Sequence, residues 1–129
     1  MLRNIINNTS FFKSQNNPFF VVSLNYIEPL TKVNKYLNEH RAYLDKNYKQ
    51  GNFIASGAKK PRTGGIILVS ISNKTQLEKI LNEDPFKQNK IATYTIEEFE
   101  TSKYSKEFKP IAQADQAKTE EVNMIKPKY

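Results

Sequence analysis

Residues 52–72 read NFIASGAKKPRTGGIILVSIS and carry the clearest structural signal in the chain. Two segments rich in β-forming residues, Asn52–Ser56 and Gly65–Ser72, flank a loop that contains Pro61 and Gly64. Glycine and proline favour turns, whereas valine and isoleucine favour extended strands. The pattern therefore predicts a β-hairpin in the middle of the sequence.

The segment before this hairpin predicts a strand followed by a helix. Phe19–Tyr26 (FFVVSLNY) is rich in aromatic and β-branched residues and ends before Glu28 and Pro29, which is typical of a strand. From Leu30 to Gln50 apolar residues recur at helical spacing, and a glycine follows as a helix stop. The apolar positions of this predicted helix are Val33, Leu37, Leu44 and Tyr48.

The segment after the hairpin predicts a second helix and a fourth strand. Asn73 or Thr75 can cap the helix, and Pro85 ends it because the residue before a proline disfavours helical geometry. Ile91–Phe99 (IATYTIEEF) is predicted as a strand. The order β-α-β-β-α-β predicts an α+β, ferredoxin-like fold, with a four-stranded antiparallel sheet and two helices on one face.

The 129 residues are enough for one domain, which we assign to residues 18–100. Residues 1–17 contain arginine and lysine but no acidic residue, so they are either a mitochondrial presequence or an extension without a targeting role. The mitochondrial matrix and the cytoplasm therefore both remain candidate compartments. Residues 101–129 form a polar, lysine-rich tail, in which Ile111–Ile125 could form a weakly amphipathic helix.

The third strand predicts a dimer, because both of its alternating sets of side chains are apolar. A sheet with one face in water normally alternates apolar and polar residues. Two helices cover one face only, so we expect a second copy to cover the other. We place Ile67, Val69 and Ile71 on the dimer face and Leu68 beneath the helices. The alternative is a central strand that exposes apolar residues to water.

Composition excludes several classes of site. The chain has no cysteine, which excludes disulfides and thiolate metal sites, and its single histidine cannot build a zinc site alone. No glycine-rich nucleotide-binding motif occurs, and the net charge of +7 is spread along the chain. The third strand lacks the aromatic residues with which RNA-recognition motifs stack bases. We therefore expect no metal, no cofactor, no nucleic-acid partner and no membrane segment.

Two polar residues stand out as candidates for chemistry. His40, the only histidine, falls on the apolar side of the first predicted helix, where a half-buried structural histidine is also a sufficient explanation. Asp84 lies at the end of the second predicted helix, where an acidic side chain opposes the helix dipole. That position is unexpected without a further role, although a solvated helix end would also explain it.

The residues also carry a resemblance to a known family. The segments NEHRAYLDKNYKQGNFIASGAKKPRTGGIILVSI, LNEDPF and IEEF resemble the YciI family, within the dimeric α+β barrel superfamily. This resemblance implies a ferredoxin-like protomer, a homodimer formed through the sheets, and a catalytic pair carried by His40 and Asp84. Related proteins catalyse proton-transfer reactions, such as lactone isomerisation or dehydrochlorination of aromatic compounds.

These observations lead to two functional hypotheses. The first is a cofactor-independent lyase or isomerase in which His40 accepts a proton, since a free imidazole has a pKa of about 6.5. In this hypothesis Asp84 either orients the imidazole or acts as the acid on the substrate. The second is a non-catalytic dimeric binding or assembly module on the same scaffold. For the enzyme, the substrate is a small anionic or aromatic molecule. The residues considered for contact with it, each of which could equally be solvated or structural, are Ser56, Gly57, Arg41 and Arg62.

Overall fold

The computed structural model describes residues 18–113 and contains one four-stranded antiparallel sheet in this range. The predictions for residues 1–17 and 114–129 lie outside the described residues. The elements, in chain order, are β1 (Pro18–Tyr26), α1 (Leu30–Lys35), α2 (Leu37–Lys49), β2 (Phe53–Ala58), β3 (Gly64–Ser70), α3 (Lys74–Leu81), α4 (Pro85–Gln88), β4 (Ala92–Glu100), a 3-10 turn (Lys106–Phe108) and α5 (Lys109–Ala112).

The strand order β2-β3-β1-β4 confirms the ferredoxin-like α+β fold. The predicted hairpin is present as the antiparallel pair of β2 and β3, and β1 lies between β3 and β4. Gly64 permits the close approach of β3 to β1, because a Cβ atom at this position would lie 1.8 Å from the carbonyl oxygen of Leu24. The start of β3 therefore requires glycine.

The core lies between the sheet and the helices. Its β1 residues are Phe20, Val22 and Leu24, and the register pairs Phe20 with Val69 and Val22 with Ile67. Side chains of α1, α3 and α4 pack against this layer. Their buried apolar members are Val33, Leu77, Leu81 and Phe86.

The assignment of the two sheet faces from sequence is wrong. Ile67, Val69 and Ile71, which we placed at a dimer interface, lie in the core with 2%, 0% and 3% of their surface exposed. Leu68 instead lies on the opposite face and is 38% exposed. Alternation shows which side chains share a face, but it does not show which face the helices cover.

The second face of the sheet is only partly covered within the described residues. At one end, the ring of Phe108 lies 5.5 Å from that of Phe19, and the ring of Phe99, the partner of Phe19 in β4, lies 5.9 Å from it. The segment after β4 thus packs on part of the sheet face that we predicted a second copy would cover. The remaining apolar residues of this surface, called here the open face, are Val21, Ile66, Leu68 and Phe99.

The helices differ from the prediction at two points. The helix expected over Leu30 to Gln50 is divided at Tyr36, where the backbone leaves the helical region with φ −109° and ψ 7°. Pro85 follows the end of α3 as expected, but it also begins α4, a helix that the sequence did not predict. Within residues 18–113, no helix combines the length and apolar character that crossing a membrane requires.

Candidate functional site

His40 and Asp84 meet between α2 and the start of α4. The Nδ1 atom of His40 lies 2.8 Å from Oδ1 of Asp84. Asp84 caps α4, because its side chain accepts a hydrogen bond from the backbone N–H of Phe86 at 2.9 Å. The predicted conflict with the dipole of the preceding helix is therefore resolved by the next helix, whose N-terminus favours an acidic side chain.

The Asp84 carboxylate is fully buried and satisfied by three donors. Oδ1 accepts from His40 and from the Phe86 backbone, while Oδ2 accepts from the hydroxyl of Tyr94 at 2.6 Å. Burial of a charged group is tolerated when such donors replace water. Because the carboxylate accepts at Nδ1, this nitrogen carries a proton, and Nε2 of a neutral His40 is left as an acceptor.

Aromatic packing fixes the plane of the His40 ring. The ring stacks on Phe86 with centroids 4.0 Å apart and an interplanar angle of 4°. Tyr43 lies beside it, with ring centroids 6.2 Å apart. The Asp84 hydrogen bond and this packing together restrict both rotation and tilt of the imidazole, so its geometry is set before any ligand binds.

Two buried tyrosines surround this pair. Burial raises the pKa of Tyr94, and the negative charge and hydrogen bond of Asp84 raise it further. Burial also raises the pKa of Tyr43, followed by the charges of Asp84 and Glu83. The Tyr43 hydroxyl donates to the Ile80 carbonyl at 2.9 Å rather than to Asp84. Tyr94 is therefore the tyrosine that remains a protonated donor to the carboxylate.

A cavity of about 370 Å³ opens beside His40. It lies between α2, the β2–β3 hairpin and the sheet, and His40 forms part of its wall. Asp84 lies behind His40 and does not line the cavity. Since Nδ1 points to Asp84, the opposite nitrogen, Nε2, is the ring atom available to a molecule in the cavity.

The four residues considered for substrate contact, Arg41, Ser56, Gly57 and Arg62, all line this cavity. Ser56 and Tyr48 form a short hydrogen bond between their hydroxyls, and Arg62 donates to the Asn34 side chain at 2.8 Å. Gly57 has open space where a Cβ atom would lie, and Arg41 is exposed. The cavity wall also includes the apolar residues Leu37, Leu44 and Phe86.

The charge of the cavity wall is positive. Arg41 and Arg62 contribute guanidinium groups, and no aspartate or glutamate lines the cavity among the described residues. Residues 18–113 also hold no cluster of three or more histidine, aspartate or glutamate side chains suited to a metal ion. The arrangement is suited to binding a small anion next to an imidazole.

Tyr94, Phe86 and Asn34 were not identified from the sequence. Alternation in the segment IATYTIEEF places Ala92, Tyr94 and Ile96 on one face, so a core-facing Tyr94 could have been inferred. The contact of Tyr94 with Asp84 could not have been inferred from the sequence, because it depends on helix α4, which the sequence did not predict. Likewise, the contact between Asn34 and Arg62 joins residues 28 positions apart in sequence and depends on tertiary structure.

We expect stability to fall in alkaline solution because of Tyr43 and Tyr94. Their raised folded-state pKa values favour the protonated form, so their contribution is complete below the unfolded tyrosine pKa of about 10 and is lost as pH rises above it. Urea unfolding between pH 8 and 11 should show this decline. Replacing both residues with phenylalanine should flatten it, whereas Tyr104→Phe, at an exposed position, should not.

Comparison with known proteins gives a family and a related structure. The family model of the YCII-related domain matches residues 19–100. Among solved structures, the chain is similar to the 5-chloro-2-hydroxyhydroquinone dehydrochlorinase of Burkholderia phenoliruptrix, bound to 2,5-dihydroxybenzoquinone. The identity is 16% and the TM-score 0.55, over 69% of this chain and 97% of that one, which shows a shared fold. No curated protein sequence matches the chain significantly.

Proposed function

The protein belongs to the YCII-related domain family, because the family model matches more than half of its residues, and we propose that it is a lyase or isomerase that transfers a proton through His40. The observation that carries the proposal is the buried hydrogen bond between His40 and Asp84 beside a cavity. The likeness in fold to a dehydrochlorinase supports a reaction of this class.

In the proposed reaction, Nε2 of His40 removes a proton from a carbon atom of the substrate. The C–H bond breaks, its electron pair remains on the substrate, and the imidazole becomes an imidazolium. Asp84 orients the ring and stabilises this positive charge. The carbanion then either takes the proton back from the imidazolium at another carbon, which gives isomerisation, or expels a leaving group with its electron pair, which gives elimination. In the elimination the imidazolium afterwards releases its proton to water or to the leaving group, so that neutral His40 is restored.

We propose a small anionic or aromatic molecule as the substrate. The cavity volume of about 370 Å³ is near the lower end of the range for small-molecule sites, which is roughly 300–1,000 Å³. Arginine side chains supply positive charge, and Phe86, Leu37 and Leu44 supply apolar surface. Ser56 and Gly57, together with Ala58, form the part of the cavity wall contributed by β2.

We also propose that the chain forms a homodimer through the open face. Val21, Ile66, Leu68 and Phe99 leave apolar surface unburied on the side of the sheet away from the helices. Burial of such surface stabilises association, at about 25 cal/mol per Å² before the costs of ordering are subtracted. The alternative function, a non-catalytic assembly module, would use the same dimer without turnover at His40.

Hydrogen exchange in D₂O tests the catalytic proposal. The full-length chain is incubated with small carboxylates, lactones and halogenated hydroxyquinols that carry an acidic C–H bond, and proton loss and halide release are followed by NMR and ion chromatography. We expect exchange or elimination with the wild type and only the buffer rate with His40→Gln. The matched control is Lys79→Gln, at an exposed position on α3, which should retain the wild-type rate.

Equal rates for wild type and His40→Gln would contradict the proposal. Inactivity of the wild type across the panel, together with thermal stabilisation by a macromolecule alone, would instead favour the assembly module.

A further inference from the structure

Arg62 connects the hairpin loop to the first helix and lines the cavity. It lies in the loop between β2 and β3, is half-buried and lines the cavity. Its Nη2 atom donates to Oδ1 of Asn34 in α1 at 2.8 Å, so the contact connects the hairpin loop to the helical layer. One tertiary hydrogen bond therefore orients the guanidinium at the cavity wall.

The positively charged Arg62 side chain has a neutral hydrogen-bond partner, Asn34. Among residues 18–113, the ion pairs join Lys32 with Glu28, His40 with Asp84, and Lys46 with Glu83, so none includes Arg62. No aspartate or glutamate lines the cavity among the described residues, and the Asp84 carboxylate, which holds His40, already accepts from three donors. The Arg62 guanidinium carries five N–H donors, and the amide oxygen of Asn34 accepts from only one of its nitrogens.

We infer that Arg62 anchors a carboxylate group of the substrate and that Asn34 positions the guanidinium for this contact. The inference rests on the proposed function, because it concerns the same cavity, and it adds the chemical class of the ligand and the residue that selects it. A guanidinium fork matches the two oxygens of a carboxylate, and the resulting charge-assisted bonds are stronger than those between neutral groups.

The rest of the cavity restricts the ligand further. Phe86, Leu37 and Leu44 provide apolar surface, so the molecule carries a carboxylate on a compact apolar or aromatic body. Arg41 also lines the cavity, but it is exposed and has no hydrogen-bond or ion-pair partner among the described residues. Its charge is more strongly screened by water, so it attracts anions without selecting among them.

The test uses benzoate as the probe and the full-length, isotope-labelled chain. The imidazole of His40 is an unambiguous NMR reporter, because the chain contains a single histidine. We expect benzoate to shift the His40 resonances in a saturable manner, and benzyl alcohol, its neutral counterpart, to bind at least about tenfold more weakly. Inorganic phosphate is titrated in parallel to measure the preference for a carboxylate on an apolar body.

Four variants separate anchoring from general effects. Arg62→Gln should weaken benzoate binding by about tenfold or more, and Arg62→Lys should restore only part of the loss because lysine lacks the planar fork. Arg41→Gln should change the affinity by less than about threefold, as expected for a charge screened by water. Lys79→Gln, away from the cavity, should leave affinity unchanged. Circular dichroism is used to verify that each variant is folded.

The variant Asn34→Asp distinguishes most clearly between an anchoring role of Arg62 and a structural one. It keeps an oxygen that can accept from Arg62, so it preserves a merely structural contact, but its carboxylate neutralises the guanidinium. We expect it to weaken benzoate binding as strongly as Arg62→Gln. Full benzoate affinity in Asn34→Asp or in Arg62→Gln, equal binding of benzyl alcohol, or no saturable binding to the wild type would each overturn the inference.

The two proposals fail in different ways. Binding of benzoate requires no turnover, so exchange that depends on His40 without binding that depends on Arg62 would refute the anchor alone. Binding that depends on Arg62, with equal exchange in wild type and His40→Gln, would refute the catalytic proposal alone.

Discussion

Asp84→Asn is expected to lower the proton-transfer rate by about 10²–10⁴-fold while the protein remains folded. The amide can retain the hydrogen bonds at the Oδ1 position, from His40 and from the backbone of Phe86, while its NH₂ group meets the Tyr94 hydroxyl. It supplies no negative charge, however, so the imidazolium formed during the reaction loses its stabilisation. The measurement is the rate of deuterium exchange, with NMR of His40 to verify its tautomer.

Asp84→Ala separates this electrostatic effect from the structural one. It removes the cap of α4 and leaves three buried donors, on His40, Phe86 and Tyr94, without their acceptor. Loss of a cap and of such hydrogen bonds costs about 1 kcal/mol or more each, so we expect the free energy of unfolding to fall by about 3 kcal/mol. A wild-type exchange rate in Asp84→Asn would show that the carboxylate charge has no part in the reaction.

Leu68→Lys is expected to convert a dimer into a folded monomer. Leu68 lies on the open face opposite Val21 in the register of β1 and β3, and it is 38% exposed in the protomer. A lysine there is solvated in the monomer, but in a dimer it would be buried in an apolar layer in both copies. We expect the dimer to weaken by about a hundredfold or more. Light scattering after size-exclusion chromatography measures the mass.

Val69→Lys is the matched comparison on the neighbouring residue. Val69 is fully buried beneath the helices, so its replacement by lysine should unfold the protomer rather than dissociate it, which circular dichroism detects. A wild-type chain that remains a folded 15.0 kDa monomer at tens of micromolar would contradict the dimer proposal.

The order of strands and helices could be predicted because each signal is local. The β-forming residues of β1 and the glycine and proline residues of the β2–β3 loop correctly predict the sheet and its hairpin. The break at Tyr36 was missed because it does not interrupt the apolar periodicity of the predicted helix. Helix α4 was missed because Pro85 was interpreted only as the end of the preceding helix. The covered side of the sheet was assigned incorrectly because both sides of β3 are apolar, so composition does not distinguish them.

For the site as well, individual residues could be identified from local signals, but their tertiary contacts could not. His40 and Asp84 were identified individually, but their contact spans 44 positions of the sequence and is formed by packing of α2 against α4. Asp84 appeared unfavourable at the end of one helix, whereas the structure shows it capping the next. Tyr94 and Asn34 are recognisable only through the tertiary contacts they make with Asp84 and Arg62.

The size of the cavity limits what can be enclosed beside His40. Its volume of about 370 Å³ is near the lower end of the range of roughly 300–1,000 Å³ for small-molecule sites, which suits a ligand about the size of a single substituted ring. A nucleotide or an acyl thioester is larger than a single ring, so part of it would extend into solvent. Screening should therefore begin with molecules of one ring.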